Sequence, residues 1–156
     1  ARLRRGALVV FGLVVVVAVG IGTLRPQRTL RAEASGRFTH NYPAEHAVDG
    51  KKETEWVLPD KIPGWLDVQV IPPRKLSKVR VLNMHNPPYN DRATKDYRVE
   101  ALHKGQVVKA VDGSGPEFSE SPEWVTIDLA VPVDHIRVEV KTWHRWGGGI
   151  AEVQVE

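Results

Sequence analysis

From Trp65 to Val155, apolar and polar side chains take turns. Trp65-Leu66-Asp67-Val68-Gln69-Val70 alternates, and so do Lys78–Leu82, Tyr97–Leu102, Val125–Leu129, His135–Val140 and Ala151–Val155. A period of two sends successive side chains to opposite faces of an extended chain. Each segment therefore predicts a strand with one face on a core and the other in water. Pro59, Pro63, Pro72, Pro73, Pro87, Pro88, Pro116, Pro122 and Pro132 all lie outside these runs, where a missing N–H costs no ladder bond. Lys104-Gly105, between Leu102 and Val107, predicts a tight hairpin turn. No part of this region carries a helical stripe. About seven short strands separated by turn signals predict an antiparallel sandwich or barrel.

The N-terminal part is different. Gly6 to Leu24 is a run of 19 residues without a charge. As a helix it would be about 28 Å long, close to the hydrocarbon thickness of a bilayer. The reading is a transmembrane helix over 6–24, after a basic flank at 1–5. A linker at 25–33 leads into a body at 34–156. A cleaved signal peptide is the alternative, but the run is long and is followed by Arg25-Pro26-Gln27-Arg28 rather than closely by a small-residue cleavage site. Arginines flank the run on both sides. The short basic N-terminus favours an inside N-terminus, with the body on the exported, periplasmic side of a bacterial inner membrane. Ala18 and Gly22 are spaced for packing against another membrane helix, though small residues also occur on lipid-facing surfaces.

Charge follows the same division. Residues 1–31 hold six of the 22 basic residues and none of the 19 acids, leaving 16 basic against 19 acidic in the remainder, net −3. The body thus has no basic excess and is not expected to bind nucleic acid. The absence of cysteine excludes disulfides, thiol catalysis and cysteine-ligated metals. The six histidines lack a His-Glu-x-x-His spacing, no Gly-x-Ser-x-Gly is present, and Gly147–Gly149 opens a strand rather than a helix. The chain reads as a binder, not an enzyme.

Several motifs now occur in a suggestive order. Ala47-Val48-Asp49-Gly50-Lys51-Lys52-Glu53-Thr54-Glu55-Trp56 is similar to the A-x-D-G-x-x-x-T-x-W signature of discoidin domains, also called coagulation factor 5/8 type C domains. Gly64–Val70 resembles the family's W-L-x-V-D-L strand, with Gln69 in place of the usual acid. Lys78–Leu82 and Asp96–Leu102 resemble the next strands, and Gly147–Val155 resembles the closing G-L-A-E-I-x-V strand. The resemblance covers about residues 34–156. It implies an all-β, jelly-roll-like sandwich of two antiparallel sheets in the galactose-binding-like group. It also implies a calcium ion held by Asp49, Thr54 and Glu152 with backbone carbonyls. The residues alone leave a second reading open, in which Asp49 bonds nearby amides in an Asx turn and Thr54 caps it.

Ligands of the resembled family bind at loops on one end of the sandwich. Two loops here carry suitable groups: His85, Asn86, Tyr89, Asn90 and Arg92, and Trp143, His144, Arg145 and Trp146. Aromatic faces with a few amides and guanidinium groups suit a glycan. Trp and Arg also suit a protein partner, and the tryptophans could simply pack. Trp56 and Trp65 are assigned to the core. The function expected first is an accessory or stabilising subunit of a membrane protein complex, anchored in the bilayer and packed on protein partners. The alternative is calcium-dependent binding of carbohydrate or another cell-surface ligand.

Overall fold

The computed structural model describes residues 29–117 and 122–156. The strands are β1 (Thr29–Ala34), β2 (Trp56–Val57), β3 (Gly64–Asn83), β4 (Arg92–Thr94), β5 (Asp96–His103), β6 (Gln106–Ser114), β7 (Trp124–Val140), β8 (Trp143–Arg145) and β9 (Gly149–Val155), with one short 3₁₀ helix at Ala44–Val48. The fold is the expected all-β sandwich. Its strands are not uniformly short, however: β3 has 20 residues and β7 has 17.

These two long strands organise the molecule. They pair antiparallel from Gly64↔Val140 to Leu82↔Trp124, with register shifts between Gln69/Arg74 and Leu76/Lys78. Pro72 and Pro73 lie inside the first shift, where the ladder is already interrupted. On either side of the break the neighbours change. The first half of β3 pairs with β1, the facing half of β7 pairs with β5, and β5 pairs with β6. The second half of β3 pairs with β9, and β9 pairs with β2. One continuous pair of strands thus belongs to both layers. β4 and β8 form a separate two-stranded sheet.

The core lies between the layers. Leu66, Val68 and Val70 of β3, Val99 of β5, and Ile136, Val138 and Val140 of β7 face Val79, Val81, Ile127, Val153 and Trp56. Each such side chain removed from water contributes about 1.5–3 kcal/mol. The alternation read from the sequence puts Asp67, Gln69 and Glu139 on the outside. It also corrects one assignment. Trp56 is fully buried, but Trp65 is 36% exposed. Trp65 shares the outward parity of Asp67, and its ring lies under the Arg137 guanidinium at 5.2 Å. The boundary at 34 is corrected too. Residues 29–33, read as linker, belong to β1, because Leu30, Ala32 and Ala34 alternate inward and the strand pairs with β3 from Thr29↔Ile71 to Ala34↔Leu66.

The Lys104-Gly105 turn joins β5 to β6 as expected, with φ of 52° and 75°, the two positive values a tight hairpin requires. No helix among the described residues is long and apolar enough to cross a membrane. The span expected over 6–24, with Ala18 and Gly22, lies outside the described residues.

The strand directions define two ends. The entry end carries Thr29, the Ile71–Lys75 bend, the Lys104-Gly105 turn and the 130–134 bend of β7. The loop end carries segments 35–43, 59–63, 84–91 and 141–148. Gly149 fixes part of the loop end. A Cβ there would lie 2.0 Å from the Trp56 carbonyl oxygen and 2.7 Å from Met84 Sδ. Gly149→Ala is expected to cost about 3 kcal/mol through this overpacking, read as a lowered urea midpoint at unchanged slope.

Candidate functional site

The loop after β3 is held by a buried acid. Glu55, one residue before β2, accepts hydrogen bonds from the backbone N–H groups of His85 at 2.9 Å and Asn86 at 3.1 and 3.2 Å. His85 Nδ1 lies 3.7 Å from the same carboxylate. Burial raises the Glu55 pKa above its ordinary value, while the two amide bonds and the His85 charge act in the other direction. In the sequence Glu55 stands between the polar stretch Lys51-Lys52-Glu53-Thr54 and the buried Trp56-Val57-Leu58, and the loop folds down onto it.

From this base the chain projects Asn86, Tyr89 and Arg92. Asn86 is buried, with φ of 55°, and its side-chain amide donates to Asp91 Oδ1 at 2.5 Å. Arg92 donates to both oxygens of Asp91, at 3.1 and 3.2 Å, and to Asp60 Oδ1 at 2.6 Å. Its guanidinium carbon lies 4.5 Å over the Phe38 ring. The charge-assisted bonds and the cation–π contact fix the guanidinium plane. Phe38, Tyr42, Val57, Asn86, Tyr89, Asp91 and Arg92 enclose a shallow pocket of about 200 Å³.

Trp146 borders the same cluster. Its backbone N–H donates to the Asp91 carbonyl at 3.2 Å, and its carbonyl accepts from Lys61 N–H at 2.9 Å. The Lys61 ammonium sits 5.0 Å from the indole centre. Trp146 is 50% exposed and Tyr89 is 72% exposed. Lys61, Asn86, Asn90 and Arg145 all adopt positive φ. Non-glycine residues held there cost energy that the surrounding loops must supply, a pattern that gathers at binding sites.

The other expected residues are placed differently. His85 serves the loop through Glu55 more than it faces the pocket. Asn90 donates to the Pro88 carbonyl at 3.3 Å. His144 Nε2 is 2.9 Å from the Gly115 carbonyl oxygen, and Arg145 Nε donates to Glu117 at 2.8 Å. Those two belong to the 115–117 segment rather than to the Arg92 cluster. Trp143 is half-buried opposite Thr94. Phe38, Tyr42, Asp60 and Lys61 were not anticipated. They come from two other loops, and only the aromatic-polar stretch Phe38-Thr39-His40-Asn41-Tyr42 gave a signal.

A larger depression, about 680 Å³, runs along β1 beside Glu33, Glu45, Asp67 and His135. Among the described residues its wall has no tryptophan, tyrosine or phenylalanine. The smaller pocket is the better candidate on chemistry, because it combines aromatic faces with fixed donors and acceptors.

The expected calcium residues converge. Thr54 Oγ1 donates to Asp49 at 2.8 and 3.0 Å, and Lys51 N–H donates to Asp49 Oδ1 at 2.9 Å. This is the Asx-turn arrangement. Yet Glu152, 2% exposed, adds a second carboxylate whose Oε2 is buried without a hydrogen-bond partner. Burial, then the Asp49 charge, raises its pKa to about 7, against a lowering bond from the Gly50 backbone. Two acids that repel, a hydroxyl and an orphaned buried oxygen fit a hard cation. Among the described residues no three histidines or acids gather as a metal cluster, so backbone carbonyls would complete the set.

The fold and these loops can now be set beside known proteins. The F5/8 type C domain model matches residues 31–153. This chain belongs to the F5/8 type C domain family. Solved structures agree on the fold. The family 32 CBM from C. perfringens NanJ, in complex with galactose, superimposes with a TM-score of 0.65 at 21% identity, over 81% of this chain and 92% of that one. The lectin domain of lectinolysin, complexed with Lewis B antigen, gives 0.66 at 20% identity, over 83% and 93%. A Streptococcus pneumoniae fucose binding module gives 0.65 at 17% identity, over 82% and 93%. No curated protein matches by sequence. These three structures are named as a CBM, a lectin domain and a fucose binding module. They lend no support to the accessory-subunit expectation.

Glu152 gives the F5/8 type C domain a pH signature. Without metal, the folded state keeps this proton up to about pH 7, whereas the unfolded chain releases it near an ordinary glutamate value. The folded state therefore binds more protons between those limits, and stability falls as pH rises through the window. In EDTA, the melting temperature is expected to drop from pH 5.5 to pH 8, and Glu152→Gln should flatten that slope.

Proposed function

We propose that this F5/8 type C domain is a carbohydrate-binding module, carried on a membrane anchor at residues 6–24 and presented on the exported side. The observation that carries the reading is the Asn86–Asp91–Arg92–Asp60 network beside Phe38, Tyr89 and Trp146. Asp60 and Asp91 retain acceptor capacity for sugar hydroxyls, and Asn86 and Arg92 are already oriented as donors. The exposed faces of Tyr89 and Trp146 suit the apolar C–H face of a sugar ring. A pocket of about 200 Å³ suits one terminal ring rather than a long buried chain. The similar structures in complex with galactose and Lewis B antigen support this reading over a protein-complex subunit.

Glycan-array binding tests it. The protein is expected to retain a set of glycans sharing one terminal sugar. Arg92→Ala or Trp146→Ala should weaken binding at least about tenfold, since each removes a central contact of the site. Trp143→Ala should change it less. A protein that binds no glycan, while pulling down stoichiometric membrane proteins, would replace this reading with the subunit one.

Calcium is part of the proposal. Asp49, Thr54 and Glu152 would hold the ion, and it would offset the repulsion between the two carboxylates. Calcium should then raise the melting temperature more at pH 8 than at pH 6, because at pH 6 Glu152 keeps its proton. An equal or absent shift at both pH values would leave Asp49 and Thr54 as a turn without metal.

A further inference from the structure

Three consecutive residues lie behind the Arg92 pocket, and each holds a different part of it. We infer that Glu55 is a positioning residue for sugar binding. Its buried carboxylate sets the loop that carries Asn86, Tyr89 and Arg92, while its neighbours Trp56 and Val57 set the loop that carries Phe38 and Tyr42. This rests on the sugar-binding reading of that pocket.

Glu55 is 4% exposed and lies behind the pocket wall rather than in it. Its Oε1 accepts the His85 N–H at 2.9 Å and the Asn86 N–H at 3.2 Å, and its Oε2 accepts the Asn86 N–H at 3.1 Å. Two successive amides are thereby turned toward one carboxylate. Asn86 then takes its φ of 55°, a left-handed conformation that a non-glycine residue keeps only where its surroundings hold it. From there its side chain reaches Asp91, and the Asp91 carboxylate carries Arg92. The Asn90 N–H closes the loop on the Asn86 carbonyl at 2.9 Å. Without the carboxylate, two buried N–H groups lose their acceptor, which is the costly way to break a hydrogen bond. The turn would open to give them water, and Asn86 and Arg92 would lose their aim.

The next two residues serve the other loop. Trp56, fully buried, donates from Nε1 to the Gly36 carbonyl at 2.9 Å. The Val57 carbonyl accepts the Phe38 N–H at 2.7 Å, and Val57 itself joins residues of both loops in the pocket wall. The loops meet where the Arg92 guanidinium lies 4.5 Å over the Phe38 ring. Trp56 and Val57 form β2 and pair with Ile150 and Gly149 of β9, so the support belongs to the sheet, and a pocket set on a sheet is held more rigidly than one set on loops alone. Trp56 and Val57 are also core residues. Glu55 is the member of the three that can be changed without opening the core.

The full chain is tested on a printed array of galactose-, fucose- and N-acetylhexosamine-terminated oligosaccharides, well below the melting temperature of every variant. Glu55→Ala is expected to raise the half-saturating concentration on the sugars that the wild type retains at least about tenfold. Glu55→Gln keeps one accepting oxygen and should raise it less, by about threefold or more. Val133→Ala, a core change at the entry end, also lowers the melting temperature, yet it should leave half-saturation within about twofold of wild type. Amide hydrogen exchange over 84–91 should speed up in both Glu55 variants beyond its change in Val133→Ala. An affinity loss in Val133→Ala equal to that in Glu55→Ala would reduce Glu55 to a general stabiliser and overturn the inference. Folded Glu55 variants that bind like wild type would overturn it as well, and Glu55→Gln decides alone if Glu55→Ala does not fold. A wild-type chain that retains none of the printed sugars removes the sugar reading and this inference together, whereas sugar binding indifferent to Glu55 removes this inference only.

Discussion

The antiparallel pairing of β3 with β7 is the constraint on which the rest depends. Both strands run through both layers, so the sandwich closes by bending one ladder rather than by stacking two independent sheets. The bend comes where the register shifts at Ile71–Lys75, and prolines occupy that break because they would be costly anywhere else in the ladder. Every other strand takes its place from one half or the other of this pair. The loops after β3 and before β9 consequently emerge at the same end, which brings residues as far apart as Asp60, Arg92 and Trp146 into one network.

Two buried acids support this end in different ways. Glu55 is satisfied by backbone amides and holds the 85–86 turn in a strained conformation. Glu152 is not fully satisfied. A buried carboxylate without enough partners favours its proton or a cation, and the Asp49 side chain strengthens that preference. One acid thus organises the 84–91 loop by hydrogen bonding, while the other leaves an electrostatic deficit on the neighbouring loop.

Much of the fold was legible because the sandwich buries one face of each strand. Period two marked β5, β9 and both halves of β3 and β7, and the Lys104-Gly105 pair marked its turn. The joining of two alternating runs into one long strand was not legible, since Pro72-Pro73 looks the same at a bend as at a loop. Trp65 was misread because bulk suggested burial where parity decided the matter. The Thr29–Ala34 strand was hidden by its arginine and glutamate, which face outward. At the site, Asn86, Tyr89, Arg92 and Trp146 were visible as loop chemistry. Asp60 and Lys61 were not, because their role comes from tertiary proximity across 32 residues in the case of the Asp60–Arg92 contact. His144 and Arg145 were right in type but were drawn to Gly115 and Glu117.

β1 has one more property that follows from its place. Among the described residues it pairs with β3 alone, through six consecutive partners from Thr29↔Ile71 to Ala34↔Leu66. A pull applied between Thr29 and a ligand held at the far loops runs along the strand axis. Such a load strains all six rungs at once, in shear, instead of peeling them one after another. The first strand of the domain is thereby oriented to act as a mechanical clamp, resisting traction along the line on which the protein would meet it.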